Sequence, residues 1–219
     1  TWRLRGSLCT ALGDHDAAAE SFVQARAIAG HLAAHANSAE APNRFLTHTL
    51  LDQADQALNN GNLNLAREAA DTARAHAEAF AQASGSSVIW LTDVAASWDR
   101  LGEVARLAKS HVNAQEAFSR AVEFRRMALD REPTSVQFKR GLAAALVKLG
   151  EGALEAGANA GARAAFQESA GVRLALAVSL ARKHDARLIG VFGQLAQAQH
   201  VGVVATWPSA EYVAARDAS

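Results

Sequence analysis

An all-α fold of stacked antiparallel helix pairs is predicted by three observations: an alanine-weighted composition, a scarcity of proline, and a period of 48 residues. Half of the 219 residues are hydrophobic but only 6% are aromatic, so much of the apolar content is Ala, with some Leu and Val. Alanine has the best intrinsic helix propensity and lets helices approach closely. The three prolines, Pro42, Pro133 and Pro208, leave long stretches in which nothing forbids a helix.

The period emerges when the chain is aligned with itself. Gly13, Gly61, Lys109 and Gly157 stand 48 residues apart without a gap and anchor four units. Five residues after each anchor come Ala18, Ala66, Ala114 and Ala162; nine after come Phe22, Ala70, Phe118 and Phe166. Seven before stand Gly6, Ala54, Gly102 and Gly150, and eleven before stand Trp2, Leu50, Trp98 and Leu146. Small and large residues recur at fixed places, which is how a repeated packing motif is written in sequence.

Each unit reads as two helices. Trp98, Leu101, Gly102 and Ala105 recur at i, i+3, i+4 and i+7, as do Leu146, Leu149, Gly150 and Ala153, so each set lines one helix face. Ala114, Phe118 and Ala121 do the same in the second helix. The run Asn59-Asn60-Gly61-Asn62 breaks the pattern, because Gly and Asn tolerate the left-handed conformation that ends a helix. The expected helices cover 1–12, 15–38, 42–59, 62–83, 87–108, 112–131, 134–156, 159–182 and 185–204.

The order large-x2-Leu-Gly, then Gly, then Ala-x3-Phe-x2-Ala resembles the tetratricopeptide repeat, whose signature is W-x2-L-G-x2-Y followed by A-x3-F and a proline. Trp98, Leu101, Gly102, Ala114, Phe118 and Ala121 fit closely, whereas Leu50, Gln53 and Ala54 of unit two fit poorly. The resemblance implies a right-handed superhelical solenoid. Residues 1–182 would form four helix pairs, the first incomplete, and 183–219 a capping helix with Phe192, Leu195 and Ala198, followed by a tail. The usual period is about 34 residues, so the extra length must extend the helices or their links, in keeping with the late positions of Pro42 and Pro133. Such long-period arrays are similar to those of multidomain bacterial regulatory proteins, where repeats follow an effector or ATPase module. With helix already running at Thr1, a piece cut from a longer protein is expected.

Lys plus Arg and Asp plus Glu number 22 each, which removes the net charge of a nucleic-acid or anionic-membrane binder. Arg125, Arg126 and Arg131 alternate with Glu123, Asp130 and Glu132, giving a mixed-charge face. A single cysteine excludes an internal disulfide and any zinc site needing two thiolates, and makes a cytoplasmic setting the default. Cys9 shares its register with Ala57, Ala105 and Ala153 and reads as a small packing residue. His31 and His35 have the i, i+4 spacing of a two-histidine metal face, but no third ligand is indicated, and a solvated surface accounts for them. No phosphate-loop pattern is present. Neither catalysis, a cofactor, a metal, nucleic acid nor a membrane is expected.

The expected function is a scaffold that holds a protein or peptide. The alternative is a regulatory or sensor region of a larger enzyme or NTPase whose catalytic domain lies before residue 1. In the family that the repeats resemble, first helices line the concave side, with ligand-facing positions thirteen, ten, six and three residues before the anchor. Carried onto this register, they include Leu51, Asp99 and Val147 at ten, Asp55, Glu103 and Glu151 at six, and Leu58, Arg106 and Leu154 at three. Acidic and apolar residues replace the basic set that clamps a peptide carboxylate. Two readings stay open: an acidic groove for a Lys- or Arg-bearing ligand, or local pairing of the carboxylates with Arg100, Arg106 and Lys148. Self-association through an apolar N-terminal edge at Trp2 and Leu4 is a further expectation.

Overall fold

The computed structural model describes residues 1–35, 40–85 and 87–184, with side chains to 180. Eight helices occupy them: α1 (Trp2–Ala11), α2 (His15–Ala34), α3 (Glu40–Asn59), α4 (Leu63–Ala83), α5 (Val88–Leu107), α6 (His111–Arg131), α7 (Val136–Glu155) and α8 (Asn159–His184). The described residues contain no strand, and no helix among them is long and apolar enough to cross a membrane. Each helix packs on its sequence neighbours, and α1, α3 and α5 also touch in succession. The expected helix at 185–204 and the capping role of 183–219 lie outside the described residues, except for the end of α8.

The four anchors explain why the helices fold back in pairs. Gly13, Gly61, Lys109 and Gly157 all take left-handed backbone, with φ of 77°, 71°, 57° and 74°. After each, the next amide donates back to a carbonyl five residues earlier: Asp14 to Cys9, Asn62 to Ala57, Ser110 to Ala105 and Ala158 to Ala153, at 2.8–2.9 Å. The anchor's own amide donates to a carbonyl three residues earlier, at 2.9–3.1 Å, and this double closure satisfies carbonyls that a helix end would leave bare. The residue after the anchor then starts the second helix. Asp14 and Asn62 accept from Ala17 and Leu65 amides, both at 3.1 Å, the usual side-chain cap. A reversal this short leaves the two helices antiparallel. Lys109 shows that the turn is kept even without glycine, although a Cβ there costs about 1–2 kcal/mol.

The extra length of the 48-residue period goes into both helices, since α3, α5 and α7 have 20 residues and α2, α4 and α6 have 20 or 21. Only α1 is short, at 10 residues. Within a pair, one contact sets the helix approach. A Cβ placed on Gly6, Gly102 or Gly150 would stand 2.9, 2.4 or 2.7 Å from the ring of Phe22, Phe118 or Phe166. The missing side chain seven residues before the anchor is the space that the phenylalanine nine after it fills. Unit two makes the complementary choice, with Ala54 and Ala70 both fully buried in contact with Ala69 and Leu101.

Candidate functional site: the first-helix face

The first helices of successive units are tied by a ladder of ion pairs. Between α1 and α3, Arg3 pairs with Asp52. Between α3 and α5, Arg44 donates to Asp93 at 2.8 Å, His48 Nε2 lies 3.0 Å from the same carboxylate, and Arg100 donates to both oxygens of Asp55 at 3.0 and 2.8 Å. Between α5 and α7, Lys148 lies 3.1 Å from Glu103, and Arg106 reaches Glu155 at 3.2 Å while also holding Glu103 at 2.9 Å. The separations are 45 or 49 residues. They correspond to one period less about one helical turn or plus one residue, so each unit offers the same reach to the next.

The carboxylates in this ladder are partly desolvated and charge-compensated. Burial alone would raise the pKa of Asp93, but the hydrogen bonds from His48 and Arg44 outweigh it and hold the carboxyl below its ordinary range. Glu103 follows the same balance, with burial opposed by Arg106 and Lys148 and a net lowering. The guanidinium of Arg100 would be lowered by burial and is instead raised by Asp55. The Glu103 carboxylate raises Arg106.

The residues expected to face a ligand therefore fall into three groups. Leu51 and Asp99 are each only 5% exposed. Leu51 packs with Leu50, Ala73 and Ala96, and Asp99 is held by Arg125 of its own unit. The position ten before the anchor is thus a packing position in units two and three, because these side chains turn toward the second helices. Asp55, Glu103 and Arg106 remain at the surface but are engaged in the ladder, as the local-pairing reading expected. Leu58 is half-buried beside Ala57, Ala66 and Val104, and Val147 is half-buried. Glu151 and Leu154 are exposed, and Glu151 has no ion pair among the described residues.

The ladder itself was not foreseen, although opposite charges 45 residues apart at 55/100 and 103/148 were visible in the repeat register. A second feature also escaped sequence reasoning. A cleft of about 580 Å³ opens where units one and two meet, lined by Val23, Ala27, Gly30, Leu46, Leu50, Gln53 and Thr72 among others. In units three and four the register equivalents of Gly30 and Thr72 are Arg126 and Glu168, which pair at 2.7 Å. At the first joint α2 and α4 are instead bridged by Arg26 and Glu68, at 3.8 Å.

Elsewhere, His31 near the end of α2 and His35 just after it lie exposed with rings stacked at 4.2 Å, and no group of three or more His, Cys, Asp or Glu among the described residues could hold a metal. Cys9 is half-buried, less enclosed than Ala57, Ala105 and Ala153 in the same register. Neither a protein-family model nor a curated protein matches this sequence.

Proposed function

We propose that the chain is a protein-interaction scaffold of the tetratricopeptide kind, whose helix pairs continue as a right-handed solenoid and hold a peptide or protein partner along the first-helix face. The observation that carries this reading is the ladder. Cross-linked first helices form a continuous face on which side chains repeat every 48 residues, a rigid presentation that suits an extended or helical ligand.

The ladder also redistributes charge on that face. Asp55 is matched by Arg100, and Glu103 with Glu155 by Lys148 with Arg106, so most of the acidic positions are compensated. Glu151 is the uncompensated one, with Leu154 exposed one turn along and Val147 one turn back. A basic residue flanked by apolar ones is the complementary ligand, and it sits at unit four.

The test is an array of twelve-residue peptides in which Lys or Arg, or Asp or Glu, are set between leucines, probed with the labelled chain. Preferential retention on the basic peptides at low salt is expected, weakening at moderate salt and lost in Glu151→Gln. The same substitution at Asp55 should change little, because Arg100 would then be freed to oppose a cationic ligand only weakly from beside α3. Equal retention on acidic and basic peptides would sink the electrostatic part. No retention above a helical control protein would sink the scaffold reading.

A further inference from the structure

The cleft between units one and two has a filled counterpart one unit along. At the joint of units two and three, Trp98 stands where Leu50 lines the cleft, and Arg74 stands where Arg26 borders it. The guanidinium of Arg74 lies over the Trp98 ring, 5.0 Å from its centroid. Asp71 and Glu78, at 3.4 and 2.9 Å, hold it there from the same helix. The chain thus fills this space once with an indole beneath an arginine.

At the first joint the arginine is kept and the ring is gone. Leu50 is the smaller side chain, fully buried, and the cleft of about 580 Å³ opens over it. That volume falls within the roughly 300–1,000 Å³ of small-ligand sites. The carboxylates that hold Arg74 are replaced as well, since Val23 and Gly30 stand at their register positions and both line the cleft. Arg26 reaches only Glu68, at 3.8 Å, beyond hydrogen-bond distance. A guanidinium held so loosely is available to the face of a π-system.

A second observation gives the ligand its polarity. Gln53 is 5% exposed and lines the cleft, and its Oε1 is buried without a partner. Helical side chains lean toward the N-terminal turn, which brings the Gln53 amide beside Leu50. The equivalent residue beside Trp98 is Leu101, and there the indole Nε1 is the buried group without a partner. One joint therefore holds a ring N–H with no acceptor, and the other an acceptor with no ring.

We propose that the cleft between units one and two binds a small planar heteroaromatic molecule of the indole class, its face under Arg26 and its ring N–H donated to Gln53 Oε1. Val23, Ala27 and Leu46 supply apolar walls around the ring. None of the residues proposed to meet a peptide on the first-helix face lines this site.

The experiment titrates indole into the isotopically labelled chain and follows the Gln53 side-chain amide and the Leu46 and Leu50 methyl groups by NMR. Saturable shifts are expected, with indole bound about fivefold or more tightly than N-methylindole, which keeps the ring and lacks the donor. In Gln53→Leu the two should bind alike, within about twofold. Leu50→Trp supplies the ring from the chain itself, as Trp98 does, and should abolish binding while the chain stays folded. Arg26→Gln, at a partly exposed position, should weaken indole about threefold and keeps the test open if Leu50→Trp does not fold. No saturable shift, equal binding of indole and N-methylindole to the parent, or indole binding retained in a folded Leu50→Trp chain would overturn the proposal. A short tryptophan-containing peptide bound about tenfold more tightly than N-acetyltryptophanamide would also overturn it, by assigning the cleft to a partner's side chain.

Discussion

The joint between units one and two differs from the joint between units three and four, although both are written in the same register. At the later joint the contact positions are half-buried Leu149 and buried Gly152, and Arg126 straps α6 to α8 through Glu168. At the earlier joint they are Gln53 and Gln56, both buried, and the strap positions are Gly30 and Thr72 beside an open cleft. Gln56 donates to the carbonyl of His15 at 3.4 Å, but Gln53 Oε1 is buried without a partner. A helix array can keep one period while its joints differ in strength, because period is set by the turns and joint strength by two or three side chains.

The largest effects should come from emptying the ring positions at the strong end. Phe118 is fully enclosed, and Phe118→Ala is expected to cost about 3–5 kcal/mol in a denaturant melt, whereas half-buried Phe166→Ala should cost less. If the two substitutions cost the same, ring burial is not what distinguishes these pairs. Gly102→Ala forces a methyl into the Phe118 ring, at roughly 1–3 kcal/mol, offset in part by about 1 kcal/mol from removing a helical glycine. Joining both changes rebuilds the alanine pair of unit two. The double variant should therefore be more stable than the sum of the single effects by about 1 kcal/mol or more, and strict additivity would refute the ring-and-glycine account.

Smaller changes probe the weak joint. Gln53→Leu installs the residue that units three and four use and removes the orphaned acceptor, so it should stabilise the chain by about 1 kcal/mol. Native-state hydrogen exchange should show α1 and α2 opening at lower free energy than α5 and α6, with the gap narrowed by that substitution. Uniform protection across all pairs would erase the distinction between joints. Lys109→Gly relieves a left-handed non-glycine residue, and about 1 kcal/mol of stabilisation is expected.

The smallest effect is a pH dependence. His76 lies against Phe80 and Trp90 with Nδ1 2.8 Å from Thr47 Oγ1, and burial holds its imidazole below the ordinary value of 6.5. The unfolded chain binds that proton more readily, so stability is full above about 6.5 and declines as pH falls toward the folded-state value. An imidazole resonance titrating at or above 6.5 would contradict this. Asp93 and Glu103 are depressed carboxyls, and their contribution is lost further down, as pH falls through the ordinary carboxylate range and then through their lowered values.

Much of this was legible in the sequence because the turn chemistry repeats. The anchors fixed all four reversals, and eight helices follow the periodic pattern within a few residues. The ends of α2 and α3 were harder to read. Glu40 starts α3 ahead of Pro42, since a proline in a first turn gives up an amide that has no helical partner. The candidate site was read less well. Position ten before the anchor was carried over from the family as ligand-facing, but the side chains at 51 and 99 answer to local packing, which a register alone does not specify. The ladder could have been found by asking which charges lie one period less a turn apart.

The glycine and phenylalanine pairing also constrains how such a chain can change over generations. A unit with Gly and Phe and a unit with two alanines are both well packed, yet one substitution cannot convert one into the other. Changing the ring first empties a large site at about 3–5 kcal/mol, a large share of the roughly 5–15 kcal/mol that holds a domain folded. Changing the glycine first crowds the ring at a smaller net cost. The passable mutational route therefore runs through the glycine. Gly6, Gly102 and Gly150 are the positions at which drift toward alanine should precede loss of the aromatic partner.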